Sequence, residues 1–277
     1  MSTTASTTLI PSSAYVARDA DTSRFDSTAL TRGPWDPGHQ HAGPGIALVA
    51  GAIARAAAAL DMRHIARLTA NLIRPIPLAP LSVEVQTDYA GRNVAHFSAR
   101  LLAAEREVAR FTAVAQRTAE VLVPTQLAGH PHPQAARSPE ASDAIVFPHT
   151  PGSVGYHELV ELRTAEGIVT RGPCAVWFRL RHPLVQGEVP NPIERVAVAA
   201  DSGNGISAVL DFRRYTFINS DLTINLLCPA QGEWICIDAR TLVGPGGGGI
   251  AEARIFDRNG LIGRSTQSLH IRARAEG

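Results

Sequence analysis

Near the C-terminal end of the chain stands Thr223-Ile224-Asn225-Leu226-Leu227-Cys228-Pro229, and an earlier stretch, Thr69-Ala70-Asn71-Leu72-Ile73-Arg74-Pro75, reads as its copy. Thr69/Thr223, Asn71/Asn225, Leu72/Leu226 and Pro75/Pro229 are identical at a spacing of 154 residues. Carried outward without a gap, the same spacing aligns Thr87 with Thr241, Ala99 with Ala253, Arg100 with Arg254, Arg110 with Arg264 and Thr112 with Thr266. These are nine identities over the 44 positions from Thr69 to Thr112, where unrelated segments of ordinary composition give roughly three. Leu81/Ile235, Val83/Ile237, Glu84/Asp238, Leu101/Ile255 and Val108/Ile262 add conservative pairs. A match at fixed spacing is the mark of tandem duplication, one supersecondary unit used twice.

The duplication sets the domain plan. At about 150 residues per domain, a chain of 277 residues makes two units. They are expected as 1–123 and 154–277, with a linker over 124–153, where Pro, His, Ala and Ser take over. Hydrophobic residues make up 45% and charged residues 18%, the balance of a globular chain. A formal net charge of +1 gives no electrostatic reason for a nucleic-acid partner. All 26 basic residues are Arg; GC-rich coding accounts for this, with bidentate anion binding by guanidinium groups as the alternative. Cys174, Cys228 and Cys236 have neither CxxC nor zinc spacing, and their odd number fits a reducing cytoplasm better than a disulfide framework. The N-terminal Met-Ser-Thr-Thr-Ala-Ser-Thr-Thr lacks the basic-then-apolar pattern of a signal peptide. No apolar run reaches the ~20 residues that a membrane-spanning helix needs.

Hydrophobic periodicity and turn residues give an order of elements. Short strands are expected at 14–18 and 24–28, then a helix from about Pro44 to Leu60. Pro44 suits its first turn, where a missing N–H costs nothing. That helix is apolar nearly all round, Arg55 excepted, so other structure must wrap it. Four strands follow, at about 66–73, 81–89, 94–103 and 107–117, separated by turns and therefore antiparallel. The programme restarts with strands near 156–162 and 174–181 and a helix from Pro192, for which Asn191 is the N-cap and Glu194 lies in the first turn. Strands near 217–227, 233–242, 250–257 and 261–272 complete it. One greasy helix wrapped by a curved antiparallel sheet is the hot-dog arrangement, so the fold class is α+β, a double hot-dog of two tandem repeats.

Chemistry is best sought where one copy carries a polar residue and the other an apolar one. At the spacing of 154, Asp201 aligns with Ala47, Asn219 with Ile65 and Gln267 with Ala113. Asp201 follows Ala197 by four residues and Ile193 by eight, on the helix stripe that faces the sheet. Gln267 is in phase with Leu269 and Ile271. On the strand at 217–227, alternation puts Ile218, Leu222, Ile224 and Leu226 on one face and Asn219, Asp221 and Thr223 on the other. A buried carboxylate and two buried amides are costly unless they bond to one another, to backbone or to water. Together, in only one of two copies, they point to a common site. The structural alternative satisfies each separately: Asp201 as a helix-end residue, Asn219 in a bulge or turn, Gln267 on backbone.

At these residues the sequence resembles the TesB-like acyl-CoA thioesterases, whose double hot-dog chains carry an Asp on the second helix, a Thr or Ser on the next strand and a Gln near the C-terminus. Supporting pieces are His41-Ala42-Gly43 at the start of the first helix, Leu72-Ile73-Arg74-Pro75, Gly91-Arg92, Gly232-Glu233-Trp234 and Gly263-Arg264-Ser265-Thr266-Gln267. The resemblance implies Asp201 and Gln267 as catalytic residues. Asn219 stands where a hydroxyl residue is usual, and an amide can also hold a water. Leu227-Cys228-Pro229 replaces a frequent His-Arg-Pro. The implied reaction is cofactor-free hydrolysis of an acyl thioester, acyl-CoA or another, by a water positioned by Asp201, Asn219 and Gln267. His41, Gly43, Asp221 and Thr223 are expected to bind substrate. The alternative is a non-catalytic hot-dog protein that binds such a molecule without turnover. Hydration or dehydration lacks a characteristic His-Asp or His-Glu pair.

Other features carry less. Gly244-Pro-Gly-Gly-Gly-Gly249 lacks a following Lys-Ser or Lys-Thr and reads as a hairpin. His39-Gln40-His41 and His130-Pro131-His132 lack further ligands, so no metal is expected. Strand cysteines are ordinarily inert core residues. Two units per chain already make one pairing; sheet edges leave room for a homodimer of such chains. No membrane partner is expected.

Overall fold

The computed structural model of the chain describes residues 9–18, 23–122, 124, 133–145 and 153–274. In chain order, the first half holds strands β1 (Tyr15–Ala17) and β2 (Arg24–Ser27), helix α1 (Ala42–Ala58), and strands β3 (His64–Leu72), β4 (Leu81–Ala90), β5 (Val94–Ala103) and β6 (Arg106–Gln116). A short strand β7 (Asp143–Ile145) leads to the second half: α2 (Tyr156–Leu159), β8 (Val160–Glu166), β9 (Cys174–Leu180), α3 (Pro192–Ala200), α4 (Gly203–Ser207), β10 (Tyr215–Asn219), β11 (Asp221–Leu226), β12 (Ile235–Val243), β13 (Gly248–Asp257) and β14 (Gly260–Ala273).

All named strand pairs are antiparallel, and the sheet runs β1-β2-β4-β5-β6-β3-β11-β14-β13-β12-β9-β8-β7, with β10 also on β14. Apart from the terminal β7, the order is symmetric about the β3/β11 seam. At that seam Thr69 faces Thr223, and Asp221 and Asn225 face Asn71 and Arg67, so a local two-fold axis passes between the two threonines. β5 and β13 are the same segment moved by 154 residues. Even the surface ion pairs recur: Arg100 with Glu84 on β5/β4, Arg254 with Asp238 on β13/β12.

The two long helices lie between the faces of this sheet. α1 buries Ile46, Leu48, Val49 and Ile53, and α3 buries Ile193, Val196, Ala197 and Ala200. Full burial of each large aliphatic side chain is worth about 1.5–3 kcal/mol. The helices run antiparallel in contact. A Cβ on Gly43, near the start of α1, would lie 2.8 Å from Val198 O, and one on Gly51 would lie 1.9 Å from Glu194 Oε1. α3 begins as the sequence suggests: Asn191 accepts from the Glu194 N–H, and Glu194 accepts from the Asn191 N–H.

Three expectations change. The strand read across 156–162 opens as α2, since four residues of a helical turn precede β8. The strand read across 217–227 is two, β10 and β11. Asn219 pairs with Leu269 but Thr223 with Thr266, so one extra residue sits around Ser220. Such a bulge shifts alternation by one. Ile218 is therefore exposed, and Asn219 faces inward with Leu222 and Ile224. The first half has the same bulge between Ile65 and Arg67. Finally, the helix caps His41 and Asn191 are 150 residues apart, so four residues enter before the next strand in the second half. Asp201 thus corresponds to Gly51 and not to Ala47.

Candidate active site

Asp201 caps the C-terminal end of α3, and its side chain is 4% exposed. A carboxylate at a helix C-terminus opposes the dipole of its own helix, so its partners must come from elsewhere. Asn219, turned inward by the bulge, donates its Nδ2–H to Asp201 Oδ1 at 2.7 Å. Gln267, inward-facing on β14, reaches the same Oδ1 with its Nε2 at 3.5 Å and the backbone O of Asp201 at 3.1 Å. Its Oε1 accepts from the Asn204 N–H at 3.2 Å. His41 Nδ1 lies 2.9 Å from Asp201 Oδ2. Asp201, Asn219 and Gln267 are therefore brought together, with the carboxylate as the hub onto which both amides converge.

His41 comes from the first half, as the N-cap of α1. Its Nδ1 accepts from the Gly43 N–H at 3.2 Å, so the His41 ring caps the positive end of a 17-residue helix beside the Asp201 carboxylate. Any side chain at residue 43 would meet Val198 O at 2.8 Å and Asp201 Cβ at 3.4 Å; only glycine lets the two helix ends approach this closely.

Tyr156 holds His41 in place. The rings stack at 3.8 Å between centroids and 6° between planes. The Tyr156 hydroxyl donates to Val198 O at 2.8 Å and lies 3.1 Å from Ser202 Oγ. Burial and the neighbouring Asp201 charge raise its pKa, the Ser202 bond opposing them only in part, so the phenol stays a donor. Behind Gln267, Ser207 Oγ and Thr241 Oγ1 are 2.8 Å apart, and Ser207 also donates to Gly203 O, which fixes α4. Nothing in the sequence marked Tyr156, Ser202 or Asn204: none belongs to a repeated pair, and each acts through a contact between distant segments.

The other expected positions fall elsewhere. Asp221 accepts from the Ser268 N–H at 2.6 Å, on the face opposite Asn219. Thr223 lies at the seam, its hydroxyl donating to Thr69 Oγ1 at 3.2 Å. The bulge that turns Asn219 inward leaves both out of contact with Asp201. Leu226 and Pro229, which flank the Leu227-Cys228 departure, line a cavity near the start of α3. Cys174 and Cys236 are buried, and burial pushes the Cys174 thiol up to about 11; neither is poised as a nucleophile. Residues 244–247 form the hairpin between β12 and β13, and Gly248 and Gly249 already belong to β13. Among the described residues no group of three His, Cys, Asp or Glu could hold a metal; His130 and His132 lie outside them. No helix among them is long and apolar enough to cross a membrane.

Comparisons with known proteins converge on one family. The profile of the acyl-CoA thioesterase N-terminal domain matches residues 31–116, and that of the acyl-CoA thioesterase C-terminal domain matches residues 125–271. A search of curated sequences gives no match. Among solved structures, a protein assigned as a thioesterase II from Thermobifida fusca YX superposes with a TM-score of 0.71 at 16% identity, covering 94% of this chain and 96% of its own. The tesB protein of Mycobacterium avium subs paratuberculosis gives 0.64 at 17%, covering 92% and 94%. The acyl-CoA thioesterase II TesB2 of Mycobacterium marinum gives 0.63 at 15%, covering 93% and 96%. At these identities the structures speak to the double hot-dog fold.

Proposed function

The chain belongs to the acyl-CoA thioesterase family, a family of thioester hydrolases, and from that premise we propose that Asp201 is the base that activates a water for direct attack on the thioester. The observation that supports this reading is the convergence of Asn219, Gln267 and His41 on one buried carboxylate. A carboxylate offers about four lone-pair positions. Two on Oδ1 face the amides and one on Oδ2 faces His41, which leaves one on Oδ2 for a water.

The water oxygen attacks the thioester carbonyl carbon while its proton passes to Asp201. The developing oxyanion lies toward the N-terminal end of α1, where backbone amides and helix dipole are already oriented. Collapse breaks the C–S bond, and the proton held by Asp201 goes to the departing thiolate. A carboxylic acid and a free thiol result, and Asp201 is regenerated. Asn219 and Gln267 are positioning residues, since both donate to the carboxylate and Gln267 also ties it to Asn204. Tyr156 orients His41 and touches no reacting atom.

The test is release of free thiol from a panel of acyl-CoAs that differ in chain length, wild type beside Asp201→Asn. We expect release by the wild type and a loss of about 10²–10⁴-fold in the variant. Equal, background-level release by both proteins would make this a binding protein without turnover.

A further inference from the structure

α1 runs unbroken over 17 residues, but its counterpart in the second half does not. At the spacing of the helix caps, residues 42–58 fall on 192–208, and there the chain makes α3, a step at Asp201 and Ser202, and then α4. The Ser202 N–H turns back to Ala199 O at 3.0 Å, one residue short of an α-helical bond. In an unbroken helix Asp201 O would accept from the Gly205 N–H, and the Asn204 N–H would go to Ala200 O. The Gln267 amide takes both groups instead, its Nε2 3.1 Å from Asp201 O and its Oε1 3.2 Å from the Asn204 nitrogen. A side chain inserted into the backbone ladder is one of the identifiable causes of a broken helix. Ala113, the counterpart of Gln267, carries no amide, and α1 runs on past Gly51.

This wedge gives the Gln267 amide one orientation. Oε1 needs a donor and Nε2 an acceptor, so Nε2 points to the Asp201 end, where it also reaches Oδ1 at 3.5 Å. The orientation therefore depends on where α4 holds Asn204. Backbone bonds anchor the last residues of that turn: the Thr170 N–H donates to Ile206 O at 2.9 Å and the Gly172 N–H to Ala208 O at 3.0 Å. Thr241 reaches further back. It stands two strands from Gln267 in one row of the sheet, with Ala251 between them. Its Oγ1 lies 2.8 Å from Ser207 Oγ and 3.4 Å from Asn204 Oδ1. Ser207 gives its own proton to Gly203 O, so Thr241 is the donor to Ser207. Both hydroxyl residues are buried. The first half has the same threonine without the contact: Thr87 aligns with Thr241 but is exposed, and Ala57 stands where Ser207 does at the spacing of the caps.

We propose that Thr241 and Ser207 are positioning residues of the hydrolysis. Their hydroxyl pair sets α4 so that the Asn204 N–H keeps Gln267 wedged in the helix break, with its Nε2 on Asp201. This inference rests on the reading of Asp201 as the base. Neither hydroxyl touches a reacting atom; each acts through Asn204 and Gln267.

Thiol release from acyl-CoA is followed in the full-length wild type, Asp201→Asn, Thr241→Val, Thr241→Ser, Ser207→Ala and Thr87→Val. We expect kcat to fall by about tenfold in Thr241→Val and in Ser207→Ala, with KM nearly unchanged, because a displaced group costs rate more than binding. Thr241→Ser keeps the hydroxyl and should restore most of kcat. Thr87→Val, the same change in the first half, should leave kcat at the wild-type value. A pair that served only the fold would lower the melting temperature and leave kcat alone. Amide hydrogen exchange at Asn204 reads the same geometry without turnover, and should quicken in Thr241→Val and Ser207→Ala but not in Thr87→Val. Full kcat in Thr241→Val or Ser207→Ala, or unchanged exchange at Asn204, would overturn the inference. So would a Thr241→Ser variant as slow as Thr241→Val, which would make packing, and not the hydroxyl, the cause. With Asp201→Asn inactive, each of these results would leave Asp201 as the base. Background release by the wild type itself would overturn the hydrolysis reading, and this inference with it.

Discussion

Thr69 and Thr223 are register partners across the β3/β11 seam, their hydroxyl oxygens 3.2 Å apart, although 154 residues of chain separate them. Each is the other's copy, so the duplication and the contact lie on one axis. That axis brings the N-terminus of α1 against the C-terminus of α3, which is how His41 from one half meets Asp201 from the other. Neither half holds the site alone, and the second half has kept the polar trio that the first half lacks.

Asn219 is the cleanest probe of that asymmetry, because its counterpart is Ile65. Asn219→Ile removes the 2.7 Å donor to Asp201 Oδ1 at a position the fold already fills with isoleucine in the first half. We expect kcat to fall by about 10²-fold with KM nearly unchanged and the melting temperature within a few degrees of wild type. Steady-state kinetics and a thermal melt check both. A full-rate variant would remove Asn219 from the machinery.

Tyr156 should act through its ring more than its hydroxyl. Tyr156→Phe keeps the stack on His41 and should retain most of kcat, while losing about 1 kcal/mol of stability with the bond to Val198 O. Tyr156→Ala frees His41 and should lower kcat well below the Phe variant. Kinetics of the two variants side by side decide it: equal losses would mean that the stack has no positioning role.

Gly51 is the tightest point of the helix crossing. An added methyl would fall on the Glu194 carboxylate, which is tied into the cap of α3. Gly51→Ala should therefore destabilise the protein by about 1–3 kcal/mol, read from denaturant melts. Combined with Glu194→Ala the added cost should shrink, because the two residues share one space. Additive losses would put the strain elsewhere.

The same glutamate predicts a pH dependence. Burial raises the Glu194 pKa from 4.5 to about 7, the Asn191 N–H opposing it. A carboxyl whose folded pKa lies above its unfolded value favours the folded state while it is protonated. Its stabilisation is full below pH 4.5, and it is lost as pH rises to about 7. The loss is about 3 kcal/mol, relative to Glu194→Gln, which should show a flatter profile across that window. Chemical denaturation of both proteins at a series of pH values measures it, and parallel profiles would contradict it.

The periodic parts of the fold were legible in the sequence because local pattern determines them. β5 begins and ends where alternation puts it, and the Asn191/Glu194 cap announces α3. Positions set by irregularity were not. A one-residue bulge at Ser220 reverses the alternation of every residue before it, which is why Asn219 reads from sequence as sharing a face with Asp221 and Thr223. Four residues inserted after the second helix escape a gapless comparison, since only alanines such as Ala47/Ala197 and Ala50/Ala200 match at the helix spacing, and so Asp201 aligns with Ala47 in place of Gly51. Asp201, Asn219 and Gln267 could still be picked out, because duplication supplies an internal control at each position. Tyr156 has no such control.

Single-turnover hydrolysis of an acyl-CoA in H₂¹⁸O, with enzyme in excess, tests direct attack by an Asp201-activated water. The product acid should carry one ¹⁸O and the peptide containing Asp201 none. Unlabelled acid from the first turnover, with ¹⁸O in the Asp201 carboxyl, would mean that the carboxylate itself attacks through an anhydride and that Asp201 is a nucleophile instead of a base.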